Sequence, residues 1–231
     1  KTIILITTDK VYENDESGNS YKEIDRLGGK DPYSVSKSAA ELLIKGYMNS
    51  YFSSGEKKIA SVRAGNVIGG GDWSENRIIP DSIKAIENKN KIIIRNPTST
   101  RPWQHVLEPI LGYLLLAEKL NNGNNNLIGS WNFGPEKIQS ISVESLVKKI
   151  ISYYGKGSYK TINKNNLPFE AKLLSLNIDK AKKEIGWKPL LNLDKTIELT
   201  IEWYKKYKDT DIYNFCSKQI IEYEEIWKSE N

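Results

Sequence analysis

Residues 3–6 read Ile-Ile-Leu-Ile, so an extended strand over this stretch is apolar on both of its faces. Such a strand has to be covered on both sides, as happens in a parallel sheet with helices packed on its two faces. Short strands are also predicted at Ile59–Arg63 and Trp131–Phe133, and helical patterns lie between the three. This alternation predicts an α/β fold with a mostly parallel sheet.

The helices are predicted from their end signals and their apolar spacing. Pro32 suits a first helical turn, and an apolar stripe that includes Leu43 and Tyr47 predicts a helix from Tyr33 to about Phe52. Leu107–Leu120 is almost wholly apolar and is predicted to be a buried helix. The other predicted elements are a helix at 81–88, a strand at 92–94, a helix from the N-cap Ser142 to Tyr154, and helices at 179–185, 196–208 and about 211–228.

Composition disfavours several classes of function. The chain has 231 residues and a net charge of +5, but its Lys residues alternate with acidic ones, so nucleic acid is not an expected partner. No apolar run approaches the roughly 20 residues of a membrane helix, so no membrane partner is expected. The single cysteine, Cys216, cannot form an internal disulfide, which favours the cytoplasm. One Cys and one His cannot build a zinc cluster, so no metal is expected.

Tyr33 and Lys37 are spaced four residues apart at the start of a predicted helix. Side chains at that spacing share a helix face, so the phenol and the ammonium can approach one another. A nearby cation stabilises a phenolate, and the pair could therefore act as a general base on a sugar hydroxyl. The spacing alone is weak evidence, because it is common by chance and a tyrosine near a helix start usually serves packing.

Thr7–Lys10 follows directly after the first strand and offers hydroxyl, carboxylate and ammonium groups. In open α/β sheets ligands bind outside the carboxyl ends of the strands, so these groups could take part in proton transfer. Taken alone, the segment fits an ordinary turn at Asp9 better.

The two segments together, with Asp31-Pro32 opening the helix, resemble the active site of the extended short-chain dehydrogenases/reductases. This resemblance implies bound NAD and a site in which Thr8, Tyr33 and Lys37 serve hydrogen transfer at the nicotinamide end of the cofactor, with Tyr33 and Lys37 as cofactor contacts.

Other stretches resemble the CDP-glucose branch of the nucleotide-sugar 4,6-dehydratases within that family. They are Arg63–Trp73 with its glycine triplet, the Arg-Pro-Trp-Gln-His-Val run at 101–106, the Trp-Asn-Phe-Gly-Pro run at 131–135 and the closing segment 179–189. The resemblance implies that Asn66, Arg77, Arg101 and Glu170 bind the nucleotide-sugar, with the Arg101 guanidinium on its diphosphate.

The activity that the resemblance implies is elimination of water from CDP-glucose to give CDP-4-keto-6-deoxyglucose, with transient hydride transfer to NAD. Asp9 would protonate the leaving 6-hydroxyl. Relatives in other branches carry Asp-Glu where this chain has Asp9-Lys10, so it stays open whether Lys10 removes the C5 proton or stabilises the enolate.

The resemblance also implies a partial Rossmann-type parallel sheet with a smaller C-terminal α/β lobe that binds nucleotide-sugar. Residues 1–65 would be the remaining part of the NAD-binding domain, residues 66–231 mainly the substrate lobe, and residues 105–133 a return to the Rossmann core. No G-x-G-x-x-G or G-x-x-G-x-x-G turn occurs in the sequence. We therefore expect the phosphate-binding part to precede Lys1, and the 231 residues alone to be inactive.

Two alternatives stay open. An epimerase of the same family would keep Tyr33 and Lys37 but has no need of the Asp9-Lys10 pair. A catalytically incomplete fragment would bind a nucleotide-sugar only. For the dehydratase, the resemblance further implies a homo-oligomer, either dimer or tetramer, that serves deoxysugar biosynthesis for lipopolysaccharide O-antigen.

Overall fold

The computed structural model describes residues 1–15, 18–52, 57–136, 140–162 and 174–230. The strands are β1 (Thr2–Ile6), β2 (Ser20–Tyr21), β3 (Lys58–Ala64), β4 (Val67–Ile68), β5 (Ile92–Ile94), β6 (Thr100–Pro102), β7 (Gln104–His105), β8 (Gly129–Phe133), β9 (Ser140–Ser142), β10 (Tyr159–Thr161) and β11 (Ser175–Leu176). The helices are α1 (Pro32–Tyr51), α2 (Ile78–Glu87), α3 (Leu107–Asn121), α4 (Val143–Tyr154), α5 (Leu193–Lys206) and α6 (Ile212–Ser229).

The chain divides into two compact units. The first unit comprises Lys1–Gly65, Glu108–Lys137 and Phe169–Pro189, and the second comprises Asn66–Leu107, Ile138–Pro168 and Leu190–Asn231. Each unit has its own buried apolar cluster.

The first unit is built on a parallel sheet in the order β1-β3-β8. In its register Ile6 pairs with Val62 and Val62 with Trp131, so the carboxyl ends of the strands lie at one edge. Trp131 is fully buried, and its indole N–H donates to the Leu127 carbonyl at 2.8 Å. The predicted α/β class with a mostly parallel sheet is confirmed; among the pairs of named strands that the structure describes, only β6–β9 is antiparallel.

Strand β1 corrects the expectation of a strand buried on both faces. Its residues are partly buried and Ile6 is 66% exposed. In the described sheet β1 pairs with β3.

Helix α1 forms as predicted, but its buried face is not the predicted one. Asp31 caps the helix by accepting a hydrogen bond from the Ser34 N–H, and Pro32 occupies the first turn. The buried residues of α1 are Ser34, Ser38 and Glu41, whereas Leu43 of the apolar stripe is 65% exposed. The fully buried side chains of the helix are therefore polar, while Leu43 and Tyr47 of the apolar stripe are exposed and Ile44 is partly buried.

The second unit packs α2, α4 and α5 around one apolar cluster, with α4 in contact with both of the other helices. Ser142 caps α4 as predicted, and Gly155 ends it in the left-handed region at φ 90°. Helix α2 begins at Ile78, earlier than predicted, because its first turn buries Ile79 and Pro80.

Helix α3 also departs from its prediction. Leu116 and Leu120 are fully buried, but Leu114 is 64% exposed, so only one face of this apolar helix is covered in the described structure. Within the described residues, no helix is long and apolar enough to cross a membrane.

Candidate active site at the carboxyl edge of the sheet

The turn after β1 places Thr8 and Asp9 in a buried position. Residues Asp9–Val11 form one turn of 3₁₀ helix capped by Thr8, whose hydroxyl donates to Asp9 Oδ1 at 2.9 Å and accepts from the Lys10 N–H at 3.4 Å. Thr8 and Asp9 are only 8% and 5% exposed, whereas Lys10 is partly exposed. Gly65 is required opposite, since a Cβ there would lie 2.1 Å from Asp9 Oδ2.

The first turns of α1 present Tyr33 and Lys37 together. Tyr33 is 50% exposed, and the Lys37 ammonium lies over its ring, 5.8 Å from the centroid. The cap carboxylate of Asp31 also accepts from the Ser34 hydroxyl at 2.6 Å. These hydrogen bonds from Ser34, with a contribution from the charge of Lys10, lower the pKa of Asp31.

Ser38 joins these two parts of the site. Helix α1 packs directly against the Asp9–Val11 turn, and Ser38 Oγ lies 2.7 Å from the Val11 carbonyl and 2.7 Å from the Gly28 carbonyl. A hydroxyl has one proton, so it donates to one acceptor at a time. The structure thus brings Thr8–Lys10 and Tyr33–Lys37 to neighbouring positions at the carboxyl edge of the sheet.

A buried ion pair lies beneath this edge. Arg63 on β3 and Glu41 on α1 are each 2% exposed, and the guanidinium binds the carboxylate through Nε–Oε1 at 3.0 Å and Nη2–Oε2 at 2.8 Å. Thr7 Oγ1 donates to Glu41 Oε1 at 2.6 Å and Ser61 Oγ donates to Oε2 at 2.8 Å. Burial raises the pKa of Glu41, but the hydrogen bonds and charge of Arg63, with those hydroxyls, outweigh it, so this pKa lies below its ordinary value.

The remaining donors of Arg63 extend the network towards β8. Arg63 Nη1 donates to the Tyr12 hydroxyl at 2.7 Å, and that hydroxyl donates to Asn132 Oδ1 at 2.7 Å. Burial raises the pKa of Tyr12 to about 12, against the opposing charge of Arg63. Glu23 Oε1 accepts from the Asn132 N–H at 3.0 Å, and burial raises its pKa.

The predicted substrate residues fall in the second unit, apart from Glu170, which lies outside the described residues. Asn66 has a left-handed φ of 51°, and its carbonyl accepts from the Gln104 N–H at 3.2 Å, beside the segment that carries Arg101. Arg101 is 7% exposed, and its Nη1 donates to the Thr100 carbonyl at 3.0 Å. Arg77 is largely exposed, with its Nε 3.8 Å from Asp72 Oδ2.

Sequence reasoning missed the buried residues of the network. Glu41 could have been found, because it stands four residues after Lys37, which itself stands four residues after Tyr33. Tyr12 and Asn132 carried no such signal, since they stand 120 residues apart and meet only in the folded chain. In the part of the chain that the structure describes, no three His, Cys, Asp or Glu side chains group as a metal site requires.

Comparison with protein families identifies the family of this chain. The family model described as "GDP-mannose 4,6 dehydratase" matches residues 1–200. The chain belongs to this family. The CDP-glucose 4,6-dehydratase of Salmonella typhimurium is 41% identical over 226 residues, which cover 96% of this chain and 63% of that protein. The dTDP-D-glucose 4,6-dehydratase of Homo sapiens is 26% identical, over 88% of this chain and 56% of that protein.

Solved structures share the fold. A dTDP-glucose 4,6-dehydratase from Bacillus anthracis in complex with NAD gives a TM-score of 0.75 at 20% identity, over 89% of this chain and 62% of that one. A UDP-glucuronic acid 4-epimerase from Bacillus cereus, in complex with UDP-glucuronic acid and NAD, also gives a TM-score of 0.75 at 20% identity, over 90% of this chain and 62% of that one. The resemblance stated from the motifs is confirmed, and the chain spans less than two thirds of the length of each of these relatives.

Proposed function

We propose that a protein containing this chain is an NAD-dependent lyase that eliminates water from CDP-glucose to give CDP-4-keto-6-deoxyglucose. The observation that carries the proposal is the meeting of the buried Thr8–Asp9 turn with the helix turns that carry the half-exposed Tyr33 and Lys37, at one edge of a parallel sheet. The choice of CDP-glucose is supported by the 41% identity to the Salmonella protein of that name.

In the proposed reaction Tyr33 acts as general base. Its phenolate removes the proton of the sugar 4-hydroxyl, and the Lys37 ammonium over its ring stabilises that phenolate. The Thr8 hydroxyl donates a hydrogen bond to the ketone oxygen that forms at C4. In doing so it exchanges its bond to Asp9 Oδ1 for one to the substrate.

The 4-ketone acidifies the C5 proton, and this allows elimination across C5 and C6. Asp9 protonates the 6-hydroxyl, which leaves as water, a base takes the C5 proton, and the electron pair of the C5–H bond forms the C5–C6 double bond. Burial of the carboxyl suits this role, because water that could compete for the proton is excluded. Lys10, next to Asp9 in the sequence, is the candidate in this chain for the base that takes the C5 proton or for the group that stabilises the enolate.

The residues of the first unit fit the nicotinamide end of NAD. The hydroxyl of the half-exposed Tyr33 and the Lys37 ammonium, together on one helix face, offer the donors that a nicotinamide ribose requires. NAD, when bound, would accept hydride from C4 and return it to C6, so the cofactor is regenerated. Tyr33 and Lys37 are the residues of this chain that we assign to holding it.

The substrate contacts are assigned to Asn66, Arg77, Arg101 and Glu170, with residues 66–231 as the main substrate lobe and residues 1–65 with 105–133 in the cofactor domain. The Arg101 guanidinium can satisfy diphosphate oxygens with charge-assisted hydrogen bonds. We further propose that the protein is a cytoplasmic homo-oligomer in deoxysugar biosynthesis for O-antigen.

The test is product analysis of the complete protein that contains this chain, with CDP-glucose and catalytic NAD. We expect a product lighter by one water and no net reduced cofactor. Inversion at C4 without loss of water would make the protein an epimerase. Calorimetric binding of CDP-glucose without turnover would leave only the binding function.

A further inference from the structure

We propose that Glu41 is a positioning residue, which holds the Thr7–Asp9 strand end in register with the Tyr33–Lys37 turns of α1. This inference rests on the proposed function, because it assigns Glu41 a part in placing the groups that act on the sugar.

The first argument comes from the face by which α1 docks. Its buried residues are Ser34, Ser38 and Glu41, while Leu42 and Tyr47 are more than half exposed. Burying polar groups costs free energy unless each is hydrogen-bonded, and hydrogen bonds are directional. Apolar side chains tolerate a small slide of one element along another, but this face fixes both the rotation and the axial position of α1.

The second argument concerns which elements the Glu41 carboxylate joins. Oε1 accepts from Thr7 at 2.6 Å and from Arg63 Nε at 3.0 Å, and Oε2 accepts from Arg63 Nη2 and Ser61 at 2.8 Å each. The bond from Thr7 is special, because Thr7 directly precedes Thr8 and Asp9. One carboxylate on α1 is therefore bonded to the end of β1 and to the middle of β3.

The third argument is distance along the helix. Glu41 stands eight residues after Tyr33, or roughly 12 Å along the axis, and four after Lys37, or roughly 6 Å. From a buried position two turns away, its carboxylate acts through Thr7 and through α1, and not on the sugar itself. This separation is what makes Glu41 a positioning residue.

The competing explanation for the arrangement is that Glu41 only stabilises the fold. A buried ion pair is often no more stable than well-packed apolar residues of similar volume, whereas its directional bonds specify one geometry. The two explanations predict different results when single bonds to the same carboxylate are removed.

The decisive comparison is between Thr7→Val and Ser61→Ala in the complete protein. Each substitution removes one hydroxyl that donates to Glu41, at 2.6 and 2.8 Å, but only the first bond leads to the strand end. Neither residue is among the proposed catalytic groups. Thr7→Val keeps the β-branched shape, and Thr7→Ser restores the hydroxyl as a rescue variant.

The readout is single-turnover oxidation of the nucleotide-sugar, followed by cofactor absorbance, with substrate affinity measured separately. We expect Thr7→Val to slow oxidation by about tenfold or more at unchanged affinity, since small misplacements of reacting groups cost that much or more. Ser61→Ala should stay within about twofold of the unsubstituted protein, and Thr7→Ser should recover most of the rate.

Amide hydrogen exchange supplies a readout that does not depend on turnover. Thr7→Val should speed amide exchange at residues 8–12 and 33–37 and leave the exchange rates in β3 unchanged. Ser61→Ala should leave the exchange rates at residues 8–12 unchanged. Equal rate losses in the two variants, or faster exchange spread evenly over the first unit, would mean that Glu41 only stabilises the fold.

Failure of the proposed function is distinguishable, because it appears in the unsubstituted protein. If that protein oxidises a nucleotide-sugar but yields no dehydrated product, the lyase assignment falls while the variant ratios still test Glu41. If it oxidises no nucleotide-sugar, both proposals are overturned.

Discussion

Replacing Gly65 with alanine tests the role of Asp9 by moving its carboxyl group without changing its chemistry. A Cβ at position 65 would lie 2.1 Å from Asp9 Oδ2 and 2.2 Å from Asp9 Cγ. Carbon atoms in contact normally stand about 3.5 Å or more apart, so the carboxyl group has to withdraw by more than about 1 Å. A misplacement of that size costs roughly a hundredfold in rate.

The assay separates oxidation from elimination in a single turnover of the complete protein. We expect Gly65→Ala to slow loss of water by about a hundredfold and oxidation by much less, so that reduced cofactor accumulates on the protein. Overpacking should also lower the free energy of unfolding by about 1–3 kcal/mol. Gly46→Ala is the matched control, because a Cβ at Gly46 meets nothing within 4 Å and alanine favours a helix interior by about 0.5–1 kcal/mol.

Two results would refute this reasoning. Elimination at the unsubstituted rate in a folded Gly65→Ala variant would show that the position of Asp9 does not matter. The variant Asp9→Asn with Gly65→Ala should be no slower than Asp9→Asn alone, because both changes act on one group. A further large loss in the double variant would mean that Gly65 acts elsewhere.

The other predictions concern single groups. Asp9→Asn should oxidise C4 but stall before dehydration, because an amide cannot supply the proton, and single-turnover absorbance would show this. Arg101→Ala should raise KM by about ten- to a hundredfold and leave kcat nearly unchanged, as steady-state kinetics would report. His105, whose pKa burial lowers from 6.5 to about 4, stays neutral where the unfolded chain binds a proton. The free energy of unfolding should therefore fall by up to about 3 kcal/mol as the pH drops from about 6.5 to about 4. Urea titrations across this range should show that the free energy of unfolding of His105→Gln depends less on pH.

The elements that could be predicted from the sequence are those with local signals. Helix α1 begins where Asp31 and Pro32 indicate, and α4 lies between the Ser142 cap and Gly155 as expected. These signals work because a cap, a proline or a left-handed glycine satisfies backbone groups within a few residues. The family motifs gave the candidate catalytic residues for the same reason, since each motif is short and contiguous.

The features that the sequence could not predict depend on distant partners. An apolar stripe on α1 suggested a covered face, but the buried face is set by Arg63 on β3, which gives the Glu41 carboxylate a partner. Periodicity cannot distinguish a charged residue that faces water from one that faces a buried cation. The exposure of Ile6 likewise depends on what packs on that face of β1, and the apolar run at residues 3–6 does not encode it.

The surroundings of Lys10 bear on the role that the sequence leaves open. Hydrogen bonds from Ser34 are the main cause of the lowered pKa of Asp31, and the positive charge of Lys10 contributes to the same shift. That contribution means that the ammonium and the Asp31 carboxylate attract one another across the start of α1. A positive charge at this position is suited to the negative charge that would develop on the enolate of the proposed reaction, as preorganised charges at active sites generally are.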